Sequence, residues 1–268
     1  MSAARETSNK ATVTARFEEL FTELKEVLTR PAVHRAWMRI EKKFVPKFKL
    51  GYTVSEGVAE ELNRRYGVHY HTIRNLPVLY PLPEIPKEDI FILYQGAVNE
   101  ARGFEYLIPA MQAINVRLVI CGDGNFMQQL KELISTYNQG DKIEIRGMIT
   151  PDALRVVAGQ ATLGIALAER EGLNQWLALP NKFLDYIHAG LPQLTMNYPE
   201  YRKINDQFEV AVLIDDLSPE TIAKSINNLL VNSVLYRRLR ENSLAARKVL
   251  NWQQEEKKLL AFYKSVFT

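Results

Sequence analysis

Between residues 90 and 214, six short apolar runs (90–94, 116–121, 143–146, 163–168, 193–196 and 210–214) alternate with segments of helical spacing. Runs this apolar, with little polar alternation, suit strands covered on both faces, and a helix between each pair returns the chain to start the next strand in the same direction. The pattern predicts an α/β fold, a doubly wound parallel sheet whose ligands sit beyond the carboxyl ends of its strands. Three further helical patterns, 219–230, 233–249 and 252–266, close the chain.

The stretch 169–196 is the richest in chemistry. An apolar run opens into a loop carrying Glu171, Gly172, Leu173 and Asn174, and Leu179-Pro180-Asn181-Lys182 then starts a helix that stops at Ala189-Gly190 before Leu191-Pro192. Proline is tolerated in a first helical turn and glycine favours a helix end. Amide groups and a cation at the helix start, with the carboxylate of Asp185 one turn further in, are suited to a diphosphate and a ribose. Gly172-Leu173-Asn174, the run from Leu179 to Tyr186 and Ala189-Gly190-Leu191-Pro192 together resemble the donor-site segment of the retaining, two-Rossmann-domain (GT-B) glycosyltransferases of the group 1 type, notably bacterial envelope and exopolysaccharide enzymes.

The resemblance implies a nucleoside-diphosphate sugar as donor substrate, no cofactor, no metal, and a glycan or lipid-linked acceptor. It divides the chain into a partial acceptor-side segment with its linker (1–88), a whole Rossmann-like donor domain (89–250) and a C-terminal helix (251–268) crossing back onto the first segment through Trp252, Leu259, Leu260 and Phe262. A complete first domain needs on the order of 150 residues, so the N-terminal α/β portion is expected to be incomplete. That leaves a second class open: a nucleotide-sugar-binding or split-partner protein without transferase activity, prone to self-association or to pairing with a completing chain. A nucleotide-sugar epimerase of the same architecture is a third reading, one that would need a full first domain.

Residue by residue, the resemblance places Gly96 and Arg102 after the first strand of the donor domain, where Arg102 contacts the diphosphate and Ala97 replaces a second basic residue. Arg102 could equally be a surface arginine. Gly122 and Gly124 are expected to give a tight turn and room for ligand; the third glycine position of a dinucleotide fingerprint is Met127, which argues against that motif. Met148 and Ile149 stand where the family reads the nucleobase through backbone groups, before a helix capped by Thr150. The family's first donor-site glutamate falls on Leu177, and Asp185 is a shortened version of the second, the ribose ligand. Lys182 supplies the charge absent at Ala97 and shares the catalytic part with Arg102. Asn181 either contributes its amide or caps the helix, and Glu171 and Asn174 either contact the sugar or lie in a solvated loop. His188 reads as a packing or capping residue, and Cys121 as a small buried one.

In the N-terminal part, 15–28 and the stretch after Pro31 read as helices, 50–54 and 70–73 as strands with a Ser55-capped helix between, and 77–86, with four prolines, as an extended linker. Residues 1–12 are small and polar and are expected to be poorly ordered. Lys42, Lys43, Lys47 and Lys49 form a basic cluster, read as a solvated face before an anionic-membrane contact. The formal charge of +3 gives no case for nucleic acid, the single cysteine excludes an intramolecular disulfide, and no apolar run reaches membrane-spanning length. A cytoplasmic protein, at most peripheral at an inner membrane face, is the expectation. The histidines His34, His69, His71 and His188 are too scattered to suggest a metal site.

Overall fold

The computed structural model describes residues 14–82 and 89–267. The N-terminal lobe contains strand β1 (Ala15–Phe17), helices α1 (Lys25–Leu28) and α2 (Pro31–Phe44), strand β2 (Leu50–Thr53), helix α3 (Glu56–Tyr66) and strand β3 (His69–Thr72). Its three strands form a parallel sheet in the order β1-β2-β3. The second lobe runs β4 (Phe91–Gln95), α4 (Phe104–Ala110), β5 (Arg117–Cys121), α5 (Met127–Thr136), β6 (Ile143–Gly147), α6 (Pro151–Gln160), β7 (Leu163–Ala166), α7 (Gly172–Leu177), α8 (Asn181–His188), β8 (Gln193–Met196), α9 (Pro199–Phe208) and β9 (Ala211–Ile214). Helices α10 (Pro219–Val231), α11 (Ser233–Ala246) and α12 (Trp252–Phe267) follow.

The six apolar runs become one parallel sheet in the order β6-β5-β4-β7-β8-β9. β4, β7 and β8 are buried along their whole length because helices cover both faces: Phe104, Leu107, Leu130, Ile222 and Ile226 on one side, Val157, Ala158 and Tyr186 on the other. β4 is laid first, the chain then builds outward through β5 and β6, and returns to β7 on the opposite flank of β4. The carboxyl ends of β4 and β7 therefore diverge into two loops that leave a crevice between them, the place where a doubly wound sheet binds ligands.

One glycine decides how closely α8 approaches this crevice. A Cβ on Gly164 of β7 would lie 2.6 Å from the Tyr186 ring, so only glycine lets that ring lie flat on the strand. The Tyr186 hydroxyl accepts the Gln95 amide at 3.1 Å and is shared between the Leu93 and Ile165 carbonyls. Helix α8 is thereby fixed to the end of β4, and residues on its first turns face the crevice.

The N-terminal lobe departs from one expectation. Residues 15–28 are not a helix but strand β1, a 3-10 turn over Phe21–Glu23 and the single-turn α1. β1 pairs along β2 from Ala15–Gly51 to Phe17–Thr53, and Gly51 permits the approach, since a Cβ there would stand 2.5 Å from the Ala15 carbonyl oxygen. Pairing outweighs helical spacing over so short a stretch. The other N-terminal elements fall where the pattern puts them: Ser55 caps α3 through the Val58 amide, and Gly67, at φ 59°, ends it.

Helix α12 crosses back to the N-terminal lobe, where Phe262 is buried with Tyr52 and Ile73, and Leu259 packs beside them. Leu260, expected in that contact, is exposed. Trp252 acts through its backbone, donating to the Pro77 carbonyl at 2.9 Å. Pro83 and Pro86 of the expected linker, and residues 1–12, lie outside the described residues, whereas the preceding linker is held by Gln253, which brackets the Leu79 backbone. Among the described residues, no helix is long and apolar enough to cross a membrane, and no cluster of side chains has metal-binding geometry.

Candidate functional site

Three charged side chains lie around the end of β4. Lys182, on the first turn of α8, lies over the Tyr94 ring with its Nζ 3.7 Å from the centroid, and its Cε is 3.5 Å from where a Gly96 Cβ would be. That ammonium is buried and has no hydrogen-bond partner among the described residues. Burial first, and then the nearby positive charge of Arg102, push its pKa well below the ordinary lysine value. Arg102, half-buried at the entry to α4, donates to Gln175 Oε1 at 3.4 Å, so it is not a free surface arginine. Two cations held close together, one dry and unpaired, are costly in isolation and become favourable when an anion sits between them.

Asp185 lies one turn beyond Lys182, where its Oδ2 accepts the Gln95 side-chain amide at 2.8 Å. Burial raises its pKa to about 6, opposed by the Gln95 hydrogen bond and the charge of Arg155. The Oε1 of Gln95 is also buried without a partner. Buried polar atoms are rarely left unbonded; these two orphans, a cation and an amide oxygen, lie near the end of β4, and Gln95 shares a cavity with the buried carboxylate of Asp185, a cavity that Lys182 and Arg102 do not line. Gln95 and Asp185 open onto a cavity of about 480 Å³ between α6 and α8, walled on its outer side by residues of the linker, including Tyr80.

The remaining expected residues divide. Gly96, at φ 107°, turns the chain out of β4 beneath Lys182. Gly122 and Gly124 do not make room for a ligand: a Cβ on Gly122 would lie 1.8 Å from the Gly96 carbonyl oxygen, and one on Gly124 2.3 Å from that of Val98. Their space is taken by the loop after β4, which is tied to the loop after β5 by bonds between Val98 and Asp123 and between Phe126 and Val98. The glycines let one site loop buttress the other. Met148 is exposed and Ile149 half-buried in the loop after β6, two strands or about 10 Å across the same sheet edge. Asn181 is exposed and makes no capping bond, the N-cap position being Pro180.

Glu171 and Asn174 turn away from the crevice. Rather than lying in a solvated loop they begin α7, and Asn174 Oδ1 accepts the Leu20 amide at 2.9 Å while Glu171 pairs with Lys25 at 3.0 Å. Both bind the N-terminal lobe. Leu177, standing where the family has its first carboxylate, is wedged against Gly57, where a Cβ would be 2.8 Å from Leu177 Cδ2. His188 donates from Nε2 to the Leu250 carbonyl at 2.6 Å and is structural.

Four contributors were not identified from sequence. Tyr94, Gln95 and Gln175 position Lys182, Asp185 and Arg102, and the one signal was a polar residue, Gln95, ending an apolar run. Glu200 on α9 is the fourth: its buried carboxylate accepts the Glu56 amide at 3.2 Å and the Gly57 amide at 3.0 Å, closing the N-terminus of α3 from the other lobe. Lys203 completes the contact by pairing with both Glu56 and Glu200.

A family model described as glycosyl transferases group 1 matches residues 82–245. A curated relative, the UDP-N-acetylglucosamine--N-acetylmuramyl-(pentapeptide) pyrophosphoryl-undecaprenol N-acetylglucosamine transferase of Lactococcus lactis subsp. lactis (strain IL1403), is 23% identical over 163 residues, 61% of this chain and 45% of the relative. This chain thus spans less than half the length of that relative. Among solved structures, sucrose-phosphate synthase from Thermosynechococcus elongatus superposes with a TM-score of 0.74 at 19% identity, over 87% of this chain and 62% of the other. Anabaena Alr3699/HepE in complex with UDP and glucose gives 0.75 at 11% identity, over 94% and 71%. The pneumococcal O-GlcNAc transferase GtfA in complex with UDP and GlcNAc gives 0.71 at 16% identity, over 87% and 48%. These superpositions establish the GT-B type of fold.

Proposed function

The chain belongs to the group 1 glycosyl transferases, and from that premise we propose that the crevice at the ends of β4 and β7 takes a nucleoside-diphosphate sugar and passes its sugar to an acceptor presented beside the N-terminal lobe. The observation that carries this reading is the Lys182 ammonium, sealed from solvent and unpartnered next to Gly96 and Arg102. A diphosphate is the ligand that turns this electrostatic cost into a gain. Asp185 accepts the ribose hydroxyls, with Gln95 orienting it, and the loop at Met148 and Ile149 borders the base.

In the reaction, the bond between the sugar C1 and the diphosphate oxygen breaks with its electron pair going to the diphosphate. The acceptor hydroxyl oxygen bonds C1 from the same face, retaining configuration, and its proton passes to the departing phosphate. Negative charge grows on the leaving group, so Arg102 and Lys182 stabilise the transition state more than the ground state. No step calls for a metal. The curated relative named for UDP-N-acetylglucosamine, Anabaena HepE in complex with UDP-glucose and GtfA in complex with UDP and GlcNAc support a uridine nucleotide as the first donor to try, and the lipid-linked acceptor in the curated relative's name supports an envelope glycan as the product.

One observation favours the second reading, a binding protein without turnover: the position of the first family carboxylate is the apolar Leu177, spent on packing against Gly57. Thermal melts with UDP, GDP and ADP, followed by sugar-release assays with the corresponding nucleotide sugars, separate the two. We expect at least one nucleotide to raise the midpoint, by adding about 2.7 kcal/mol to the stability of the fold at a hundred times its Kd. Arg102→Ala should remove that shift, and Lys182→Met should remove it while raising the midpoint of the free protein. Stabilisation without sugar release selects the binding reading; no stabilisation by any of the three sinks the donor site.

A further inference from the structure

Helix α2 contains no buried residue. It touches the lobe along one edge, through the half-buried His34, Met38 and Glu41, with Glu41 turned toward Tyr66 of α3. Next to that edge runs an apolar stripe at positions 33, 37, 40 and 44, the spacing of one helix face. Val33 is 39%, Trp37 40%, Ile40 43% and Phe44 44% exposed. Phe21 extends the stripe, its ring 4.7 Å from that of Trp37, and Leu28 of α1 is exposed as well. Contiguous exposed apolar surface of this kind marks an interaction face.

From Arg30 to Leu50 the chain carries seven basic residues and one acidic residue, Glu41. Arg35, Arg39 and Lys42 lie on the far side of α2 from the stripe by helical spacing. Lys43 and Lys47 hold their ammonium groups over the Phe44 ring, 5.7 and 5.0 Å from its centroid. An aromatic and branched apolar ridge with cations flanking and backing it is the make-up of a helix that lies in a bilayer interface. We infer that the exposed face of α2 docks the protein onto an anionic lipid bilayer.

Charge complementarity selects this occupant. A second copy meeting the same face would bring two strongly basic segments together, which repels, whereas an anionic leaflet attracts them. Shape agrees, because the stripe is a convex ridge rather than a groove, and a fluid headgroup layer accommodates a ridge. The inference does not rest on the transferase reading, but it bears on it. α1, which packs against α2, carries Lys25, whose ammonium pairs with Glu171 at 3.0 Å and Glu100 at 3.4 Å on the loops flanking Arg102. A bilayer seated on α2 therefore lies on the side of the N-terminal lobe that meets the loops after β4 and β7.

The test is co-sedimentation of the whole chain with vesicles of phosphatidylcholine alone and of phosphatidylcholine containing about 30% phosphatidylglycerol. We expect binding to the anionic vesicles only, most of it lost at about 0.5 M salt. Ile40→Gln should weaken it about tenfold through lost apolar contact, and Lys43→Gln with Lys47→Gln about 25-fold through lost attraction. All these residues are exposed, so the variants should melt like the parent, which keeps the comparison interpretable. Failure to bind anionic vesicles, equal binding to phosphatidylcholine alone, or unaltered binding by both variants overturns the inference. So does a dimer seen by light scattering that Ile40→Gln dissolves, since a second copy would then own the face.

Discussion

Asp185 gives the sharpest test, because the geometry that fits it for a ribose makes it a liability to the free protein. Its carboxyl has an ordinary pKa of 3.8 and is raised to about 6 in the fold, with burial as the leading cause. Below about pH 4 the group is protonated folded or unfolded and has no effect. Between about 4 and 6 the folded protein holds a proton that the unfolded chain has released, so stability falls as pH rises, and above 6 the loss is constant. The gap between 3.8 and about 6 corresponds to about 3 kcal/mol. Asp185→Asn removes the charge, keeps the shape and can still accept from Gln95. Its own desolvation and the lost attraction to Arg155 reduce the gain, leaving about 1–2 kcal/mol at pH 7.5. For a chain of this size that raises the melting midpoint by roughly 3–6 °C. Scanning calorimetry of both proteins from pH 4 to pH 8 should show two curves that coincide at the acid end and diverge through pH 6. The variant should bind the stabilising nucleotide at least about tenfold more weakly, having exchanged a charged acceptor for a neutral one. A variant no more stable than the parent at pH 7.5, or a stability difference that persists unchanged at pH 4, would refute the account of a desolvated carboxylate.

Three further variants test the packing within and between the lobes. Gly122→Ala should cost several kcal/mol, on the order of 3 or more, or prevent folding, since its Cβ would meet the Gly96 carbonyl oxygen at 1.8 Å. Gly67→Ala is the control: nothing lies within 4 Å of the added atom, so the cost is the left-handed backbone alone, about 1 kcal/mol by denaturant titration. Glu200→Ala should destabilise by about 2–3 kcal/mol, because it strips the buried start of α3 of two charge-assisted bonds. Hydrogen exchange at Glu56 and Gly57 should accelerate before that of the β4–β7 core, and uniform protection would show that Glu200 does not couple the lobes.

Most of the architecture was already legible in the chain. Unbroken apolar runs such as 163–168 and 193–196 are demanded by burial on both faces, and the helices between them follow from their own periodicity and caps, so the parallel sheet and its ligand-bearing edge could be read without coordinates. Arg102, Lys182 and Asp185 were singled out from the resemblance, and the fold sets them around the end of β4. Local signals failed where distance in sequence hid a contact. Residues 15–28 have helical spacing, but pairing of Ala15 with Gly51 makes them start as a strand. Gly122 and Gly124 read as room for a ligand because nothing in their own neighbourhood shows the loop after β4 folding into that space. Asn174 and Glu171 read as sugar contacts or as a solvated loop, and the N-terminal lobe claims both instead.

What the sequence determined by itself is thus the parallel sheet of the second lobe, the order of its strands and helices along the chain and its ligand-bearing edge, since these depend on short-range periodicity and residue chemistry. Only the tertiary structure decided which of those groups are dry, which are orphaned and which are consumed by another lobe. Desolvation and partnering depend on atoms brought together from far along the chain: Tyr94 under Lys182, Gln95 on Asp185, Leu20 on Asn174.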